Sequence, residues 1–428
     1  MGQRLRGALR FAVLIVVVAV GATFLNCSNS LAPDGRSYYS FSNLDSYASP
    51  GRIDLQWFTT TTPPSDPGQI GLGPEPGPPI AWVAVLRSTK GPGGPYEEVI
   101  RHRSSGRDSA SVAAADGQTE WFRVQAYTLL GTPILASRIV ATQSGPVTNL
   151  AATVPMNPAG RWGWSPNSDS LIYVEDLYFG VGEVRVVDAA TLSVGLLGGG
   201  GPATGFFHDA EWSPDGRRVA YTSTPSTTFA NIDYRVRLFD RDDPSQAWTT
   251  PGRVDFGGVW AGNDRLYFCR GTYEPPNIYQ IWRVDRAPGA IPVAITSGPD
   301  RKTNPSVRIG DELIVLEVED HDSGRRHIAT CTPSTGQMTA LTNDDWCNDS
   351  SPSWGVPDSR VIFTSDRSGH QEIWSIDLST GAMNLVTRSI RDHRKASARL
   401  SPDGQKLAMV DHDGSWRGAL GIVVSPLP

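Results

Sequence analysis

Histidine, carboxylates and basic side chains recur at matching places along this chain, and together they could build a polar acid–base or binding site. His208 stands beside Asp209 and Glu211, and Asp255, Asn304, Asp349, and Arg394 with Lys395 follow at equivalent points of a repeating unit. Arranged around one axis, these side chains crowd one mouth of a channel. Two readings are open. One is a solvated polar funnel; the other is a site for a peptide or a glycan. Glycan cleavage at such a mouth calls for two carboxylates at catalytic spacing, or a cluster of histidines.

Other constellations are weaker. His321 and His327 flank Asp322-Ser323-Gly324-Arg325-Arg326, and a hairpin there would bring them face to face. No third ligand accompanies them, and the two arginines oppose a cation. Asp411-His412-Asp413-Gly414 faintly resembles a calcium loop but lacks the later acidic ligand; it reads as a hairpin turn. Gly-x-Ser-x-Gly, His-Glu-x-x-His and Gly-Lys-Ser/Thr are all absent. The run Gly198–Gly201 lacks the strand-to-helix setting of a phosphate loop and reads as a flexible connection. No cofactor and no metal are therefore expected. Cys331 and Cys347 flank a repeat boundary. A bridge in an oxidising compartment and free, partly buried thiols both remain open.

The element that must position these residues is written six times. It begins at Trp164, Trp212, Trp260, Val307, Trp354 and Leu400, at intervals of 48, 48, 47, 47 and 46 residues. The fullest copies read Trp-Ser-Pro-Asp-Gly and Leu-Ser-Pro-Asp-Gly, in which Pro presets one φ and Gly supplies a positive one. Repeat three has lost the Pro; repeat four has lost both the Trp and the Pro-Asp-Gly. A strand follows each turn, such as Val361–Ser365, and then a second, such as Glu372–Asp377. A period of about 40–50 residues filled with short strands predicts a β-propeller, here six-bladed. The repeated Trp residues are expected to pack neighbouring blades together, and Asp215 and Asp403 to cap turns rather than catalyse. The last copy stops before its outermost strand. Residues 147–153, Val-Thr-Asn-Leu-Ala-Ala-Thr, have the character of one and are expected to close the last blade.

The fifth repeat, Val361-Ile-Phe-Thr-Ser-Asp-Arg-Ser-Gly-His-Gln-Glu-Ile-Trp-Ser-Ile-Asp377, is similar to the repeat of the TolB-type, WD-repeat-like propellers. That resemblance spans residues 146–428. Upstream, Ile53-Asp54-Leu55-Gln56-Trp57 alternates as a half-buried strand does. Trp57, together with Trp121-Phe-Arg-Val-Gln-Ala-Tyr127, Gly131 and Ser137, resembles a fibronectin type III domain over residues 46–145. The Pro/Gly-rich loop Thr61–Pro79 is unusual for that family. The reading is an all-β chain: a six-bladed β-propeller with an N-terminal fibronectin type III-like β-sandwich.

Residues 1–26 read as an export signal: Arg4, Arg6 and Arg10 precede the apolar run Phe11–Val20. Phe24-Leu25-Asn26-Cys27 resembles a bacterial lipobox, although Asn26 stands where a small residue is usual. Lipidation at Cys27, a cleaved signal and a retained anchor are all open, and each places the folded part in the periplasm or at the cell surface. Residues 27–45 read as a tether. The chain has 428 residues, a net charge of −6 and no basic stripe, which argues against nucleic acid as a partner. With the resemblances, these features imply a non-enzymatic platform for an envelope protein or peptide, with glycan as a further partner and membrane contact only through the N-terminal anchor. The alternatives are a propeller-based glycan hydrolase or lyase, and a structural spacer.

Overall fold

The computed structural model describes residues 40–60, 80–148, 152–156, 160–178, 181–197, 205–224, 234–243, 248–252, 254–271, 278–308, 310, 313–355, 359–390, 393–412 and 418–424. The signal segment 1–26, most of the tether with Cys27, the loops Thr61–Pro79 and Gly198–Gly201, and the Asp413-Gly414 tip lie outside them. Among the described residues every regular element is a strand.

Two sheets share the first core. One orders Ser40–Ser49, Arg52–Thr60 and Arg107–Ala113; the other orders Glu97–Arg103, Trp82–Ser88, Thr119–Tyr127 and Pro133–Ala136, with Val140–Gln143 also beside Thr119–Tyr127. Alternation puts Ile53, Leu55 and Trp57 inward from one sheet, and Phe122, Val124 and Ala126 from the other; all are fully buried in one cluster. The expected tether differs from what is found, because Ser40–Ser49 is a strand. Leu44, Ser46 and Ala48 alternate inward along it, two of them too small to have signalled a core strand.

From Gly160 onward each repeat contributes antiparallel strands. The sets 255–294, 301–340 and 349–385 each form a four-stranded sheet in chain order. Repeats one and two join into one eight-stranded sheet, because Val181–Asp188 reaches Gly205–Trp212. The last sheet orders Arg394–Leu400, Lys406–His412 and Gly418–Val424, and its fourth strand is Ala152–Met156 from far upstream. This strand lies later than the stretch 147–153 singled out above. The reason is local: Thr148 and Arg388 exchange two hydrogen bonds, of 2.9 and 2.8 Å, which hold residues 147–148 on repeat five. The architecture is a β-propeller.

One device recurs on the inner strands. Asp209, Asn304, Ser351 and Ser397 have φ between 50° and 56°, and Gly257 has 64°. At each the pairing register slips, as at a β-bulge. The bulge turns the backbone N–H away from its own sheet and towards the preceding repeat. Gly257 N–H donates to Thr222 Oγ1 (3.1 Å), Ser351 N–H to Glu317 Oε2 (3.1 Å) and Ser397 N–H to Thr364 Oγ1 (2.9 Å); Asn304 N–H reaches the Cys269 thiol. These bonds stitch repeat two to three, three to four, four to five and five to six. Thr222→Val keeps the shape but removes this acceptor and a donor to Asp209. Its expected cost is about 1–3 kcal/mol, read from denaturant midpoints.

The repeated Trp side chains pack between neighbours, as expected. Trp164 Nε1 donates to Arg399 O (3.0 Å) and Trp354 Nε1 to Ser306 O (3.0 Å), each in an adjacent repeat. The Trp164 bond joins the first repeat to the last. Asp215 and Asp403 cap their turns, accepting from Arg217 N–H and Gln405 N–H at 3.0 Å. Asp377 caps a hairpin: the Ser379 hydroxyl and the Thr380 and Ser379 N–H groups lower its pKa to about 2. That value lies below the unfolded one, so its contribution is whole above about pH 4 and disappears as the pH falls through about 2. Asp377→Asn is expected to flatten the loss of stability in this window, measured as the denaturant midpoint against pH.

The sandwich is bonded to repeat five. Ser46 donates twice to Ser368 O (2.9 and 2.8 Å), Ala141 N–H donates to Arg367 O (2.7 Å), and Tyr47 stacks on His370 at 4.8 Å. Gln143 accepts from Leu385 N–H (3.1 Å), and its own carbonyl takes Arg388 Nε (3.0 Å). Gly369, at φ 99°, lies where a Cβ would collide with the Leu44 carbonyl oxygen.

Candidate functional site at the channel mouth

The structure separates the seven expected mouth residues into two groups. Asp255 is fully buried and binds Arg270 through both oxygens (2.6 and 2.8 Å). Asp349 is likewise held by Arg367 (2.9 and 2.8 Å), and Lys395 by Asp411 (2.6 Å). These charges are internal ion pairs of single repeats. Arg394 is exposed and pairs in register with His412. Asn304 donates to Glu317 (2.9 Å) at the bulge.

His208 and Asp209 are brought together at a cavity of about 400 Å³ that also takes in Gly160, Thr222, Tyr234 and Tyr279. Asp209 is committed: it accepts from Arg161 N–H (2.7 Å), Thr222 Oγ1 (3.0 Å) and Gly257 N–H (3.1 Å). It is a structural anion. The His208 ring makes no hydrogen bond to the described residues and meets Tyr234 edge-on at 5.6 Å. Phe256 and Tyr279 form a second edge-on pair at 5.2 Å. Burial first, and then the neighbouring Tyr279 and Asp209, raise the Tyr234 pKa, so its hydroxyl keeps its proton. A free imidazole, a protonated phenol and aromatic walls meet in one space. That combination suits proton transfer on a ring-shaped polar substrate.

Tyr234, Phe256 and Tyr279 were not found by sequence reasoning. They stand at irregular places and not in the repeated phrase. Arg161 and Arg399, which line two neighbouring cavities, were also missed. A signal existed for Arg399: corresponding inner-strand positions are small or apolar in repeats three to five (Val259, Ser306, Ser353) and charged at Glu211 and Arg399. Cys269, Cys331 and Cys347 are free and buried. Among the described residues no three His, Cys, Asp or Glu side chains are placed to hold a metal ion, and no helix is long and apolar enough to cross a membrane.

The family described as the dipeptidyl peptidase IV N-terminal region matches residues 302–413. No curated protein is a significant sequence match. Among solved structures, the chain is similar to a TolB from Agrobacterium tumefaciens (15% identity, 64% of this chain and 91% of that one, TM-score 0.44). It is similar also to the propeller domain of the Trilobed protease from Pyrococcus furiosus (13%, 72% and 90%, 0.44). A third likeness is an oligogalacturonate lyase in complex with manganese (14%, 92% and 99%, 0.44). The expectation of a non-enzymatic binding platform is overturned. The matched family region is that of a peptidase.

Proposed function

We propose that this chain is a glycan-active lyase working at the His208 cavity of a six-bladed propeller, exported to the envelope and carried on a fibronectin type III-like sandwich. Export by residues 1–26 and lipidation at Cys27 belong to the same proposal. The observation that supports it is the uncommitted imidazole of His208, edge-on to the protonated Tyr234 inside an aromatic-walled cavity.

The balance of groups favours elimination over hydrolysis. Glycoside hydrolysis takes two working carboxyl groups. The one carboxylate lining this cavity among the described residues, Asp209, is held by three donors. Elimination needs one base and one acid. On a uronate ring, His208 takes the proton next to the carboxyl group, the electron pair forms the new C=C bond, and the glycosidic C–O bond breaks. The departing oxygen takes the proton of Tyr234. Tyr279 and Phe256 provide apolar faces for sugar rings.

The test is incubation with oligogalacturonate, glucuronan and alginate fragments, followed by ultraviolet absorbance of the unsaturated product. A rise with at least one polymer, lost in His208→Gln, supports the reading. Release of reducing ends without the double bond, or no cleavage at all, sinks it.

A further inference from the structure

Beside the His208 cavity, sharing Gly160 and Asp209 with it, lies a second cavity, and a third adjoins that one. The second, of about 210 Å³, is lined by Asn304, Ser351 and Ser397; the third, of about 370 Å³, opens among the Trp-Ser-Pro turns. Arg161 and Arg399 line both. Their situations differ. Arg161 is occupied: Nε meets Glu211 (3.2 Å) and Nη1 donates to Pro305 O (2.5 Å). Arg399 has no hydrogen bond or ion pair from its guanidinium to the described residues, only the face of Trp162 at 5.8 Å. The nearest carboxylates, Glu211 and Asp209, are engaged by Arg161, Thr222 and Gly257. The hydroxyls of Ser351 and Ser397, in the same cavity, also lack partners among the described residues. Arg399 is half-buried, and a cation in that setting without a counter-ion favours the arrival of an anion.

From this we infer that the cavity of about 210 Å³ is a binding site for a small oxyanion, a carboxylate or a phosphate, held by the Arg399 guanidinium with Ser351 and Ser397 as hydroxyl donors. The planar fork of arginine matches two oxygens of either anion. Burial, and then the positive charge of Arg161, pull the Arg399 pKa down to about 9. The cation is thus held at neutral pH against its surroundings, and an arriving anion relieves that. The site does not depend on the elimination chemistry, since a free anion would occupy it equally.

The experiment titrates the full chain with inorganic phosphate at constant ionic strength set by chloride, by calorimetry and thermal unfolding. Saturable binding to one site with a rise in Tm is expected, weakening as the pH passes about 9. A second arm adds galacturonate or galactose: displacement of phosphate by galacturonate alone assigns the site to a sugar carboxylate, and phosphate binding without displacement assigns it to a free anion. Arg399→Met is expected to melt above the anion-free parent while losing roughly 10–100-fold in phosphate affinity; Arg399→Lys keeps part of it. Wild-type affinity in Arg399→Met overturns the inference. So does the absence of saturable binding of both phosphate and galacturonate to the parent chain, or binding unchanged well above pH 9.

Discussion

Arg367→Ala is expected to destabilise the propeller by about 3–5 kcal/mol, the cost of stranding a buried charge. Asp349 is 1% exposed, and Arg367 supplies both hydrogen bonds that balance it. The guanidinium also donates to Ser365 Oγ (2.8 Å) and lies 5.2 Å from the Trp374 ring. Burial opposes its charge, yet Asp349, with Cys347 and Asp344 behind it, holds its pKa above the ordinary value. Asp344, 3.6 Å away, is already pushed up by burial and by the charge of Asp349, so it gives no relief. The effect reaches further, because Arg367 O receives Ala141 N–H from the sandwich. The Arg367→Ala chain should therefore also loosen the sandwich from repeat five. The double variant Arg367→Leu with Asp349→Leu is expected to recover most of the loss. Denaturant midpoints of the parent, the Arg367→Ala chain and the double variant decide it; a double variant as unstable as the single one would contradict the account.

His208→Gln is expected to lower kcat on an acidic glycan by about 10²–10⁴-fold, the range for a positioned acid–base group. Glutamine keeps the polarity and roughly the bulk but cannot take a proton. Since the His208 ring bonds to none of the described residues, the substitution should leave the melting curve in place and change KM little. Tyr234→Phe removes only the hydroxyl and is expected to cut kcat as well. Tyr279→Ala removes a wall and is expected to raise KM instead. Steady-state kinetics of the three variants separate these roles. Equal loss in all three, or none, would remove the acid–base assignment.

The repeats were legible because their turns have strict chemical demands: Pro and Gly for backbone angles, Asp for capping, Trp for contacts between neighbours. The alternation of Ile53, Leu55 and Trp57 was legible for the same kind of reason. The charged positions were misread. Asp255, Asp349 and Lys395 looked like a ring facing solvent, yet their partners Arg270, Arg367 and Asp411 lie 15 to 18 residues on: Arg270 and Asp411 opposite them on the next strand, Arg367 in the turn just after it. Period-2 spacing locates a charge on a strand but does not say whether its neighbour across the sheet neutralises it. The bulges were hidden too, since Asp209, Asn304, Ser351 and Ser397 have little in common beyond modest size and a polar end. His208, by contrast, lines a cavity with no ion pair to its ring among the described residues.

The bond between Thr148 and Arg388 has a kinetic corollary. It moors the chain only a few residues before Ala152–Met156, the strand that seals the ring against Gly418–Val424. On so short a leash, a strand that peels off remains at high effective concentration beside its place and re-anneals before the gap can spread. Amide protons along this seam should therefore exchange slowly for a strand so close to the end of its ladder, and cutting the mooring should speed their exchange long before the whole fold weakens.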